Sequence, residues 1–168
     1  MTRKEIEERA CEILQRHGLL TVPVDPVTLA NREGILVHNA VFSESGISGM
    51  VARRGASVTM LIDQQDPPFR KRFSIAHELG HHFLHLTSDG EIVTKKLDIF
   101  RGLAGEGESG LGARRREVEA NQFAAALLMP DPLVREAFSR EQDVESLARL
   151  FNVSGEAMGY RLAALRLV

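Results

Sequence analysis

Apolar residues return every third or fourth position near the start of the chain, where Ile6, Ala10, Ile13 and Leu14 fall on one helical face. Thr2 and Glu5 form the T-x-x-E pattern of a capping box, and Gly18 supplies a stop. A second, shorter helix is predicted from Asp25-Pro26, an N-cap residue followed by proline at the first helical position, to Gly34. The texture then changes. Ile35 to Val37, Ile47 to Ala52 and Val58 to Ile62 are short, β-branched-rich runs separated by Ser45-Gly46 and Arg54-Gly55, which reads as about three antiparallel strands. Asp66-Pro67-Pro68 breaks the chain and opens a long helix over Phe69 to His85. Residues 102–112, GLAGEGESGLG, hold five glycines and predict a mobile loop within one domain. Helical spacing resumes from Arg114 to Leu128, again after Asp131-Pro132, and finally over Asp143 to Phe151 and Ser154 to Leu167. The expected class is α+β: a mostly helical single domain over 1–168, with a small antiparallel sheet of about three strands and a C-terminal helical pair at 143–168.

Composition narrows the chemistry more than the fold. A net charge of −2 leaves no global basic field to recruit nucleic acid or an anionic membrane. No run approaches the ~20 apolar residues of a membrane span. The N-terminal MTRKEIEERACEILQRHG has charges throughout and no apolar signal core, so a cytoplasmic protein is expected. The single Cys11 excludes an internal disulfide and a thiolate zinc cluster. The C-terminal LARLFNVSGEAMGYRLAAL has the rhythm of a helix-turn-helix, which raises a DNA-binding regulator as a rival reading. Its second helix begins SGEAMGY, with an acid and no base before Arg161, and RKR at 70–72 and RRR at 114–116 read as solvated helix faces. Direct nucleic-acid contact is therefore not expected.

Four of the six histidines lie in RFSIAHELGHHFLH. His77-Glu78-Leu79-Gly80-His81 is H-E-x-x-H, and residues i and i+4 share a helical face, so both imidazoles can bind one zinc ion. Glu78 sits about 100° round the helix, placed to act as a base on water without ligating. A catalytic zinc wants a third protein ligand. The next strong helix offers Glu117, which shares a face with Asn121 four residues on, and Asn121 could hydrogen-bond a ligating histidine. Glu119 competes, but it lies about 200° from Glu117, so both should not face one metal; Glu117 is preferred. His82 and His85 are expected to be structural, with His85, one turn beyond His81, touching the edge of the site or the core. Tyr160, Arg161 and His85 are candidate donors to an oxyanion. The Val58–Ile62 strand is a candidate to pair with a substrate backbone, provided that it lies at a sheet edge.

The ordered set PVDPVTLANREGI, ISGMVARR, RKRFSIAHELGHHFLH, EVEANQFAAALLMP and LARLFNVSGEAMGYRL resembles the ImmA/IrrE family of metallopeptidases along nearly the whole chain. The resemblance implies a compact gluzincin-like, zincin-type domain holding one zinc ion. It carries over His77 and His81 as ligands, Glu78 as catalytic base and a Glu of EVEAN as third ligand; the gluzincin spacing again favours Glu117. It also implies a protein substrate, a separate helix-turn-helix repressor-type regulator cleaved in a stress or mobile-element response. A zinc-containing module that captures such a regulator without cutting it is the alternative. The glycine-rich stretch at 102–112 departs from the family pattern.

Overall fold

The computed structural model describes residues 1–44, 46–86, 88–95 and 108–168. Helix α1 (Arg3–Arg16) starts at the expected capping box: Glu5 N–H donates to the Thr2 hydroxyl, and Thr2 N–H to the Glu5 carboxylate at 2.6 Å. Helix α2 (Pro26–Arg32) is capped by Asp25, which accepts from Val27 N–H at 3.0 Å. Strands β1 (Ile35–Ala40), β2 (Ile47–Arg54) and β3 (Ser57–Asp63) follow, then α3 (Pro68–Leu84), β4 (Gly90–Lys95), α4 (Glu108–Leu128), α5 (Asp131–Phe138), α6 (Val144–Phe151) and α7 (Gly155–Ala164). No helix among the described residues is long and apolar enough to cross a membrane.

The α+β class holds, but the sheet differs from the expected one. It has four strands in the order β1-β3-β2-β4, and β1 runs parallel to β3. Only the β2–β3 and β2–β4 pairs are antiparallel. The reason is physical: short β-branched runs encode a half-buried surface and not a direction or a neighbour. The fourth strand, GEIVTK, is short and opens on glycine, so its pattern is weak. β3 is interior, flanked by β1 and β2, so its backbone is already paired and Val58–Ile62 offers no edge to a substrate.

Two boundaries also move. The glycine-rich stretch lies outside the described residues over 102–107, while 108–112, expected as loop, form the first turns of α4. A glycine costs only about 1 kcal/mol in a helix, and a packed helix can extend through two of them. Asp131 is the first residue of α5, and Pro130 is its N-cap.

The core sits between the sheet and the helices. Val58, Met60 and Ile62 alternate inward from β3, and Phe123, Leu127, Ile6, Ile13 and Leu79 are fully buried against them or one another. Helix α3 runs through the middle, and its residues Ser74 to His81 are all buried. Arg72, expected on a solvated face, instead donates to the carbonyls of Val24 at 2.7 Å and Asn152 at 3.1 Å, tying α3 to the lead-in of α2 and to the C-cap of α6. Arg161 is buried in the same manner: it pairs through both terminal nitrogens with Glu7 and donates from Nε to Met129 O at 2.8 Å.

Helices α3 and α4 meet backbone to backbone at Gly80. A Cβ at that position would lie 3.0 Å from Ala120 Cα and 3.1 Å from Ala120 O. Those atoms are main chain and cannot rotate away. Gly80→Ala should therefore force α4 outward and cost about 1–3 kcal/mol, the usual range for overpacking. Urea denaturation of the metal-free protein measures this, and an unchanged midpoint would refute the contact.

Candidate metal centre

The buried middle of α3 carries a polar load that an apolar helix would not tolerate without partners: Ser74, His77, Glu78 and His81 are each at most 1% exposed. The i, i+4 spacing places the two imidazoles one turn apart, with ring centroids 4.7 Å apart. Glu117 comes from α4 and straddles them. Its Oε2 is 3.1 Å from His77 Nε2, its Oε1 is 3.1 Å from His81 Nε2, and the two Nε2 atoms are 3.0 Å apart. These three groups could hold a metal ion.

The donor chemistry fits one. His77 Nδ1 lies 2.9 Å from the Asn121 side-chain oxygen, which accepts a hydrogen bond, so Nε2 is left with a lone pair. His81 turns its Nδ1 outward too, to His85 Nδ1 at 3.1 Å. Two imidazole lone pairs and a carboxylate then converge on one point and could share a cation. Ligand atoms bound tetrahedrally to zinc at about 2.0–2.1 Å lie about 3.3 Å from one another, close to the edges seen here.

Electrostatics agree with the geometry. Burial alone would raise the Glu117 carboxyl, but hydrogen bonds and charge from His77 and His81 outweigh it and hold the pKa at about 2. Burial pushes both imidazoles down. Glu117, Glu78 and Asn121 bring His77 back above the ordinary value, whereas His81, beside two other histidines, stays below it. His85 is also below it, again through burial, in spite of Glu119.

Glu78 is fully buried beside the ligand pair and points toward β2. A Cβ on Gly49 would come within 2.8 Å of Glu78 Oε1, so the missing side chain there makes room for the carboxylate. The pairing of β2 with β4 shifts register between Ile47 and Gly49. At that irregularity the Ser48 hydroxyl reaches Ser74 Oγ of α3 at 2.9 Å and Asp66 Oδ2 at 3.3 Å. A buried polar patch thus fixes the strand against the helix one turn before Glu78.

The structure brings His77, His81, Glu117 and Asn121 together and sends Glu119 elsewhere, to His85 Nε2 at 3.0 Å. His85 also meets the cluster itself, with its Nδ1 3.1 Å from His81 Nδ1. Its i, i+4 relation to His81 was the available signal. Gly49 had no such signal, because its role depends on a strand crossing the helix. Among the oxyanion candidates, Arg161 is committed to Glu7 and Met129, and both nitrogens of His85 are engaged. Tyr160 is 71% exposed. It lines a cleft of about 730 Å³, mostly apolar, whose wall also includes Phe69, Phe73, Asn121 and Ala157. His82 packs edge-on against Phe83, with ring centroids 4.9 Å apart.

The profile of the IrrE N-terminal-like domain, a peptidase family, matches residues 30–163. The metallopeptidase ImmA of Bacillus subtilis is 26% identical over 170 residues, covering 98% of this chain and 88% of that protein. The radiation response metalloprotease IrrE of Deinococcus radiodurans is 31% identical over 107 residues, covering 61% of this chain but 30% of that longer protein. A solved structure described as a Mycobacterium tuberculosis transcriptional regulator has the same fold, with a TM-score of 0.64 at 19% identity over 95% of this chain and 47% of that one.

Zinc supplied at about a hundredfold excess over its dissociation constant should stabilise the metal-free protein by about 2.7 kcal/mol. Thermal unfolding with zinc and with a chelator measures the shift. His81→Ala should abolish it, and a shift that survives this substitution would place the metal elsewhere.

Proposed function

The chain belongs to the IrrE N-terminal-like domain family, and from that premise we propose that it is a zinc-dependent endopeptidase whose substrate is a helix-turn-helix, repressor-type transcription regulator encoded separately. The observation that carries the reading is the convergence of His77 Nε2, His81 Nε2 and the Glu117 carboxylate within 3.1 Å of one another, with Glu78 buried beside them. The names of two relatives, a metallopeptidase and a metalloprotease, support it.

In this reading His77, His81 and Glu117 are the ligands of one zinc ion. Zinc bound there supplies Lewis acidity, polarising a scissile carbonyl and lowering the pKa of water toward about 7. The protein supplies the remainder. Asn121 holds the His77 ring with Nε2 inward. Glu78 accepts the proton of the attacking water on a carboxylate oxygen and delivers it to the departing amine nitrogen. Gly49 leaves that carboxylate the space it needs. The mostly apolar cleft between α3, α4 and α7, with Phe69 and Tyr160 exposed along it, suits the side chains of a polypeptide; it approaches the centre through Phe73 and Asn121, while His77, Glu78, His81 and Glu117 do not line it.

Two classes of variant separate holding the metal from using it. Glu78→Gln should retain about one zinc per chain and lose cleavage, whereas His77→Ala should lose the zinc as well. The assay is intact mass of the helix-turn-helix regulator encoded nearest this gene, incubated with zinc-loaded wild type or Glu78→Gln. Identical regulator masses in both, with stable binding, would leave a module that captures without cutting. Gly49→Ala should keep zinc content and lower kcat/KM by about 100-fold, since a misplacement of about 1 Å at a reacting group costs that much. Unimpaired turnover by Gly49→Ala would argue against Glu78 as the base.

A further inference from the structure

We propose that His85 and Glu119 are positioning residues that hold the ring of His81 with its Nε2 lone pair turned toward His77 and Glu117. The proposal rests on the metal-binding reading above and adds to it the device that selects one tautomer of one ligand.

The logic starts at the far end. Glu119 has a side chain only 11% exposed, and it is held by Arg115 Nε at 3.1 Å and the amino group of Met1 at 2.5 Å. Paired with these two cations, it is a carboxylate. A carboxylate only accepts hydrogen bonds. His85 Nε2, 3.0 Å away, must therefore carry the hydrogen and donate it. A neutral imidazole with hydrogen on Nε2 presents a lone pair at Nδ1. His81 Nδ1 lies 3.1 Å from that lone pair, so it is the donor. The hydrogen of His81 is then on Nδ1, and Nε2 faces the centre bare.

The alternative tautomer matters because it is incompatible with a ligand role. With its hydrogen on Nε2, His81 would donate to Glu117 at 3.1 Å and close the position with a proton. His77 avoids this through a direct bond to Asn121. His81 Nδ1 reaches α4 by a longer route. His85, one turn further on α3, bridges to Glu119. This also explains why two glutamates spaced two apart, on different sides of α4, both lie near the histidines: one faces the two Nε2 atoms and the other secures the ring behind.

The test uses zinc affinity and tautomer state, not activity. His85→Ala and Glu119→Ala should each weaken zinc binding by about 10–100-fold, the usual effect of removing a partner behind a ligand, measured by chelator competition. Because Glu119 acts through His85, the double variant should bind no more weakly than His85→Ala alone. Glu119→Gln, whose amide oxygen can still accept from His85, should recover most of the affinity. In metal-free wild type, long-range proton–nitrogen correlation spectra should show His81 as the Nδ1–H tautomer, and His85→Ala should show a mixture. Unchanged affinity in His85→Ala, additive losses in the double variant, or an Nε2–H His81 in wild type would each overturn the proposal. Wild type that takes up no zinc would instead sink the proposed function, and the tautomer spectra would still decide the relay.

Discussion

The approach of α3 to α4 at Gly80 decides whether the two halves of the donor set meet at all. The histidines belong to one helix and the carboxylates to another, and neither helix can build the centre alone. With Gly80 against the Ala120 main chain, the axes lie close enough for the short reach of Glu117 to span both imidazoles. A metal site tolerates errors of only about 0.2 Å in ligand distance. The glycine therefore matters through what it omits, and Ala120 and Phe123 opposite it complete a tight seam beside the polar cluster.

Packing that closely buries polar groups deep in an apolar domain, which is costly unless each finds a partner. Helix α3 distributes them in three directions. Ser74 turns to the β2 irregularity and Glu78 lies against the bare backbone of Gly49. His77 and His81 turn to α4. His85, at the C-cap of the helix, turns to Glu119. Ile75, Leu79, Phe123 and Leu127 on the same two helices are buried, so these hydrogen bonds act in a low dielectric and hold their geometry firmly. The same feature makes the cluster sensitive: removing one member leaves its partner buried with nothing to replace it. Arg161 and Glu7 show the principle away from the centre, where a buried guanidinium clamps α1, α4 and α7.

Much of this was legible along the chain. Thr2, Asp25, Asp143 and Ser154 mark their helix starts because a cap is a local hydrogen bond over two or three residues. H-E-x-x-H and the Glu117–Asn121 pair are readable for the same reason, since a helix converts spacing into direction. Strand direction and order were not readable: the parallel β1–β3 pair and the fourth strand follow from how the chain crosses in space. Nor was the division of labour between Glu117 and Glu119 complete. Helical angle separates them, but it could not say that Glu119 would meet His85.

The sequence by itself determined which groups are available and which of them share a helix face, because both are properties of residue type and a period of 3.6. With one Cys and a dense run of His, it also determined that any metal must be held by imidazole and carboxylate. The tertiary structure alone decided which faces meet. It set Glu117 between two imidazoles, put Glu119 behind a third, emptied the space at Gly49 for Glu78, and withdrew Arg161 into a structural clamp. Those contacts join residues up to 154 positions apart. No local rule spans that distance, and only close packing of the whole core selects among them.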